Sequence, residues 1–260
     1  MHLVVDIGNT ESVVGLVPPG ELRPSAHWRL STNLPRTPDE FRMLLRALLD
    51  EAGYGAHRIE RAVVGSVVPR VSSVLIPALE SLTPGRVLSV DASSPLAVRL
   101  DVEEPRTVGA DRIVNTLAAA HLYERDTIAV DLGTATTFDC ITAEGVFQGG
   151  VIAPGVSVGL EWFAGRTAKL PRIDLSLPAT VIGRRTEDCM RSGVFYMAVD
   201  GVDGMVDRIK EEWGKPDALV VATGGYSTLL GPHCRSVDLI EPFLTLMGLS
   251  LAGEQLTRDG

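Results

Sequence analysis

The chain has 260 residues, 33 of them acidic and 24 basic, for a net charge of −9, which argues against a surface that tracks a nucleic-acid backbone. It is 45% hydrophobic and only 5% aromatic, a composition suited to a globular α/β protein with an aliphatic core, in one large or two smaller domains. No apolar run is long enough to span a bilayer and no basic segment precedes the first apolar stretch, so no membrane contact and a cytoplasmic location are expected. Cys140, Cys189 and Cys234 are far apart, so buried thiols are expected rather than a zinc site or a disulfide framework.

The first elements form around "VVDIGNTESVVGL" (4–16), which predicts two apolar strands joined at a polar tip. A hairpin turn whose polar groups satisfy their own backbone would account for Asp6, Ile7, Gly8, Asn9 and Thr10. A phosphate clamp would account for them too. Gly8 lets the backbone approach an anion, Asn9 and Thr10 supply amides and a hydroxyl, and Asp6 holds a hydrated cation. "AHWRLST" (26–32) predicts a third strand. "TPDEFRMLLRALLDEAG" (37–53) predicts a helix capped by Thr37, with Pro38 at its first position, Glu40 completing a capping box and Gly53 as the stop. A strand (61–69), a helix (71–82) and a strand (86–91) follow.

The opening motif returns in "IAVDLGTATTFDCI" (128–141), with Asp131 and Gly133 at the same places and Thr134 directly after the glycine. Asp-x-Gly with a threonine close behind it, after an apolar strand and repeated half a chain apart, is a long-period internal repeat. Strands are predicted at 127–131, 136–143 and 146–153, and helices at 155–168 and 186–213. A strand at 218–225, a short helix, a strand at 236–240 and a last helix complete the chain. The order β-β-β-α-β-α-β, duplicated, is that of the actin-like, ribonuclease H-like fold. The expectation is therefore an α/β protein of two such lobes, 1–115 and 116–260, with the two turns facing a nucleotide cleft between them.

A third motif, "TVGADRIVNTLAAAHLY" (107–123), opens a helix at Gly109, Ala110, Asp111 and Arg112. An Asp there caps free amides, worth about 1 kcal/mol. Beside Arg112 it is also a candidate base for a substrate hydroxyl attacking a γ-phosphate. The five histidines show no ligand spacing, Trp28, Trp162 and Trp213 read as packing residues, and Arg166 and Lys169 read as solvated.

Taken together, "DIGNT" (6–10), "VGADRIVN" (108–115), "DLGTATTFD" (131–139), "GGVIAPGV" (149–156), "RTAKLPRI" (166–173), "IGRRT" (182–186) and "ATGG" (222–225) resemble a type III pantothenate kinase, of the acetate and sugar kinase/Hsp70/actin superfamily. The resemblance implies ATP-dependent phosphorylation of pantothenate, the first step toward coenzyme A, by a homodimer that needs magnesium and a monovalent cation, potassium or ammonium. It places Asp6, Ile7, Gly8, Asn9, Thr10, Glu11, Ser12, Val13 and Thr134 at ATP, with Asp6 acting on magnesium through water. Asp131 would hold the monovalent cation. Gly109, Ala110, Asp111 and Arg112 would contact pantothenate, with Asp111 accepting the proton. Thr186 would contact it from the partner subunit, although it also reads as the cap of the helix that follows.

The chain departs from the family pattern at four places. Glu11 stands where Asn is usual, Val102 where a pocket Tyr is usual, Glu104 where Asn is usual, and Arg185 where Asn is usual. Tyr123, or Phe195 and Tyr196 of a neighbouring subunit, are candidates to fill the volume at Val102. The alternative to an enzyme is a dimeric regulatory or accessory relative that keeps the fold and nucleotide binding without catalysis.

Overall fold

The computed structural model describes residues 1–83, 86–167 and 169–258, and it divides into two compact units. Unit 1 comprises Met1–Leu122, Gly145–Phe147 and Phe243–Gly260, and unit 2 comprises Tyr123–Glu144 and Gln148–Pro242. This α/β architecture is the actin-like one.

Unit 1 is built on β1 (His2–Ile7), β2 (Glu11–Val17), β3 (Ala26–Ser31), β4 (Arg61–Ser66) and β5 (Val87–Val90). They lie in the order β3-β2-β1-β4-β5. β1 pairs antiparallel with β2 and parallel with β4, so it is central, and Leu3, Val4, Val5 and Ile7 are fully buried. That is why its sequence is a continuous apolar run and not an alternating one. One face is covered by α1 (Pro38–Glu51) and α2 (Pro69–Leu82). α1 begins with the expected capping box: the Thr37 N–H donates to Glu40 Oε2 at 2.6 Å, and the Glu40 N–H donates to Thr37 Oγ1 at 3.3 Å. Phe41, Leu45 and Leu49, four residues apart, form its buried stripe. The last helix, α7 (Leu244–Arg258), packs across β1 and β4 of this same unit, with Leu246 over Gly15 and Leu249 over Gly65. α3 (Ala110–Tyr123) follows a two-residue strand, β6 (Arg99–Leu100), which pairs in parallel with Val146 and Phe147.

Unit 2 carries β7 (Thr127–Leu132), β8 (Ala135–Ile141), β9 (Val146–Pro154) from Gln148 onward, β10 (Leu219–Thr223) and β11 (Leu239–Ile240), in the order β11-β10-β7-β8-β9. α4 (Val156–Arg166) and the 28-residue α5 (Thr186–Trp213) follow β9 in sequence, and α6 (Ser227–Leu230) follows β10. Phe195, Val199, Val202, Val206 and Ile209 turn one side of α5 onto Ile128, Val130, Val220 and Ala222. Ala168, the expected end of α4, lies outside the described residues.

Four expectations are corrected. The strand expected at 236–240 shrinks to Leu239–Ile240, because the Ser236 and Arg235 N–H groups donate to the buried Asp203 carboxylate of α5 (2.9 and 3.1 Å) and not to a strand neighbour. Trp162 is not a packing residue, being 57% exposed. Cys189 is exposed, and only Cys234 is a buried thiol; desolvation pushes that thiol up to about 12. Phe195 is fully buried in the unit 2 core, so it cannot line a neighbouring subunit's pocket.

Candidate functional site

In unit 1 the first Asp-Ile-Gly-Asn-Thr turn connects β1 to β2. The Gly8 N–H closes it by donating to the Glu11 carbonyl at 3.1 Å. Thr32, 2% exposed at the end of β3, holds it from beneath. Its Oγ1 donates to the Gly8 carbonyl at 2.8 Å and lies 2.9 Å from Ser12 Oγ, and its N–H donates to the Thr10 carbonyl at 3.0 Å. The turn is thus fixed by a side chain to which the sequence reading assigned no role. Asn9 and Thr10 are exposed and Asp6 is half-buried. Ile7 is a core residue, Ser12 is 1% exposed and bonded to Thr32, and Val13 is half-buried, so these three have little beyond backbone to offer a ligand. The Glu11 carboxylate accepts from Arg29 of β3, from Nε at 2.7 Å and from Nη2.

The start of α3 stands at the same end of the sheet. Asp6 and Ile7 are in register with Gly65 and Ser66 of β4. A Cβ placed on Gly65 would lie 3.5 Å from Ala110 Cβ, and one on Gly109 would lie 3.2 Å from Val67 Cγ1. Asp6 and Asp111 therefore belong to one neighbourhood, at the carboxyl ends of parallel strands where α/β sheets bind ligands. Asp111 Oδ1 accepts the Arg112 N–H at 2.9 Å, and the Arg112 guanidinium lies 4.8 Å from the centre of the Phe147 ring. One turn on from Asp111, Asn115 is 1% exposed, and its amide oxygen has no hydrogen-bond partner. A buried amide left unsatisfied costs about 1–3 kcal/mol, so this oxygen marks a polar feature beyond a simple core helix. Val102 is half-buried and Glu104 exposed.

In unit 2, Asp131, the last residue but one of β7, stands beside Thr223, its register partner on β10. A Cβ on Gly133 would lie 3.2 Å from Asp131 Oδ1, and a Cβ on Gly224 would overlap that same oxygen. Gly224 also has φ +87°, in the left-handed region that favours glycine. Thr223 is fully buried, and its Oγ1 has no hydrogen-bond partner. A carboxylate beside a buried, unpartnered hydroxyl is a fitting oxygen pair for a hard cation. Gly155, which caps α4 without any side chain, sits so close to the Gly133 and Thr134 carbonyls that a Cβ could not be accommodated. Hence the positive end of α4 abuts the second turn, an arrangement that favours an anion. Thr134 is exposed.

Thr186 is the first residue of α5, exposed, and the capping position belongs to Arg185, which makes no side-chain cap bond. The cap reading of Thr186 is not supported. Among the described residues no group of three or more His, Cys, Asp or Glu side chains could hold a metal by itself. A divalent ion would need phosphate oxygens and water to complete its shell around Asp6, which is the usual habit of magnesium.

A family model described as type III pantothenate kinase matches residues 2–208. The chain belongs to that family. Solved structures of low identity share the fold. A Sinorhizobium meliloti protein named for a proposed 2-dehydro-3-deoxygalactonokinase activity superposes with a TM-score of 0.61 at 15% identity, covering 98% of this chain and 96% of that one. A candidate Baf family transcriptional activator from Campylobacter jejuni gives 0.59 at 18% identity, covering 98% and 99%. Component A of the (R)-2-hydroxyglutaryl-CoA dehydratase of Acidaminococcus fermentans gives 0.55 at 13%, covering 98% of each chain. Family and fold together are those of a kinase that uses a nucleotide with a divalent metal. Where the sequence departs from the family pattern at Glu11, the structure gives that carboxylate a cationic partner, Arg29. No helix among the described residues is long and apolar enough to cross a membrane.

Proposed function

We propose that the chain transfers the γ-phosphoryl group of ATP to the 4′-hydroxyl of pantothenate. The observation that carries this reading is the family match over 2–208, which includes a carboxylate, Asp111, at the helix start beside the Asp6 turn. The pantothenate hydroxyl gives its proton to the Asp111 carboxylate as its oxygen forms a bond to the γ-phosphorus. The bond from that phosphorus to the bridging oxygen breaks, and ADP leaves with the electron pair. Arg112 orients the acceptor, and the amides around Gly8, Asn9, Thr10 and Thr134 hold phosphate oxygens. Asp6 would hold magnesium through water, and that ion would supply charge neutralisation; Asp131 with Thr223 would hold potassium or ammonium. The fit rests on the Thr223 hydroxyl, which has no protein partner.

A homodimer belongs to the same proposal. Ile152, Val158, Trp162, Val181, Ile182 and Met197 of unit 2 are large apolar side chains, each at least 42% exposed. They accompany a cavity of about 470 Å³ bordered by Val156, Phe163, Val194 and Met205. A second copy covering this face would take them out of water, and Thr186 opens the helix that carries Met197. Light scattering across a concentration series should give the mass of two chains.

The second reading, a regulatory relative, draws on Val102, Glu104 and Arg185 and on the activator named among the structural relatives. ADP release measured with and without pantothenate separates the two. Pantothenate-dependent release in potassium buffer supports the kinase, and nucleotide binding without turnover supports the regulator.

A further inference from the structure

Glu11 puts a carboxylate on the first residue after the phosphate turn, where it would oppose a polyanion. Its surroundings show how that charge is handled. Glu11 opens β2 directly opposite Ser31, while Arg29 is opposite Val13, so Glu11 and Arg29 form a diagonal pair on one face of the hairpin. Arg29 Nε and Nη2 both donate to the same carboxylate oxygen of Glu11, Oε2, the former at 2.7 Å. The two side chains are about half exposed, so the pair adds little to folding. We infer that Arg29 is a positioning residue for the nucleotide: by neutralising Glu11 and holding its carboxylate along the strand, it lets the turn accept phosphates despite that carboxylate. This rests on the reading of residues 6–10 as the phosphate turn and adds to it a residue outside the turn itself.

The role is electrostatic, so its test uses charge. Binding is measured by titration calorimetry with magnesium ATP and with adenosine, in about 0.05 M and about 1 M salt, where the screening length falls from over 10 Å to about 3 Å. Arg29→Ala should weaken ATP by about threefold to tenfold at low salt. The difference should shrink at high salt, and adenosine binding should not change. Arg29→Ala combined with Glu11→Gln should return ATP affinity to within about twofold of wild type, because the carboxylate that needed neutralising is gone. If Arg29→Ala does not fold, Arg29→Gln, which keeps a donor toward Glu11 without its charge, carries the same comparison. ATP affinity unchanged in the single variant overturns the inference. So does a double variant as weak as the single one, since Arg29 would then touch the nucleotide or serve only the strand. Wild-type protein that binds no magnesium ATP overturns the phosphate-turn reading beneath it.

Discussion

Thr32 Oγ1 donates a 2.8 Å hydrogen bond to the Gly8 carbonyl, joining the end of β3 to the tip of the first turn. The same hydroxyl lies 2.9 Å from Ser12 Oγ, and all three groups are shielded or part-shielded from water. Removing it leaves a carbonyl and a hydroxyl short of a partner. Thr32→Val, nearly equal in volume, should therefore cost about 1–3 kcal/mol of stability. It should also weaken nucleotide binding, because the turn loses its brace. Urea unfolding and calorimetry on one preparation check both. A stable variant with a weakened turn would confine the effect to the site.

Asp203 offers a prediction independent of function. Burial alone would push its carboxyl up. The hydrogen bonds from Ser236 and Arg235, with the Arg235 charge, outweigh that and hold it below the usual carboxylate range. A depressed native value means that the stability it contributes is present above the unfolded pKa and is lost as pH falls through the folded one. Asp203→Ala should cost about 1–3 kcal/mol near neutrality, since it removes the charge-assisted hydrogen bonds from Ser236 and Arg235. The gap to wild type should narrow in acid, and melting temperatures between pH 7 and pH 3 read this directly.

Much of this was legible in the sequence, and the reasons are local. The paired Asp-x-Gly turns, the Thr37–Glu40 capping box and the apolar runs of β1, β4 and β7 are short-range signals, and the elements form where those signals stand. What escaped depends on partners distant in sequence. The apolar run of α7 says that the helix is buried but not against what, and it returns to β1 and β4 from the far end of the chain. Thr32 looks like any strand-end threonine until it is placed under Gly8. Thr223 reads as one more residue of an apolar strand, and only its buried, unpartnered hydroxyl marks it. In the same way Glu11 reads as a misplaced charge until Arg29 is brought beside it on the neighbouring strand.

Gly224 tests the cation corner of unit 2. Its φ is +87°, and a Cβ there would overlap Asp131 Oδ1. Gly224→Ala should cost about 1–2 kcal/mol from the backbone alone. It should also displace the Asp131 carboxylate, so that the difference between potassium and sodium rates disappears. Rates compared in the two salts check it, with circular dichroism to show that the fold is kept. A potassium effect that survives in Gly224→Ala would remove Asp131 from the cation site.

The central claim is that Asp111 takes a proton from pantothenate during phosphoryl transfer. The most direct measurement is pantothenate-dependent ADP release by wild type and by Asp111→Asn, in potassium buffer with magnesium. Asp111 lies in the first turn of α3, and Asn there keeps an oxygen for the Arg112 N–H, so the variant should fold normally. Turnover should fall by about 10²–10⁴, the usual scale for lost acid–base assistance, while calorimetry shows ATP still bound. A folded Asp111→Asn enzyme with near-wild-type turnover, or a wild type that binds ATP yet releases no more ADP when pantothenate is added, would contradict the account.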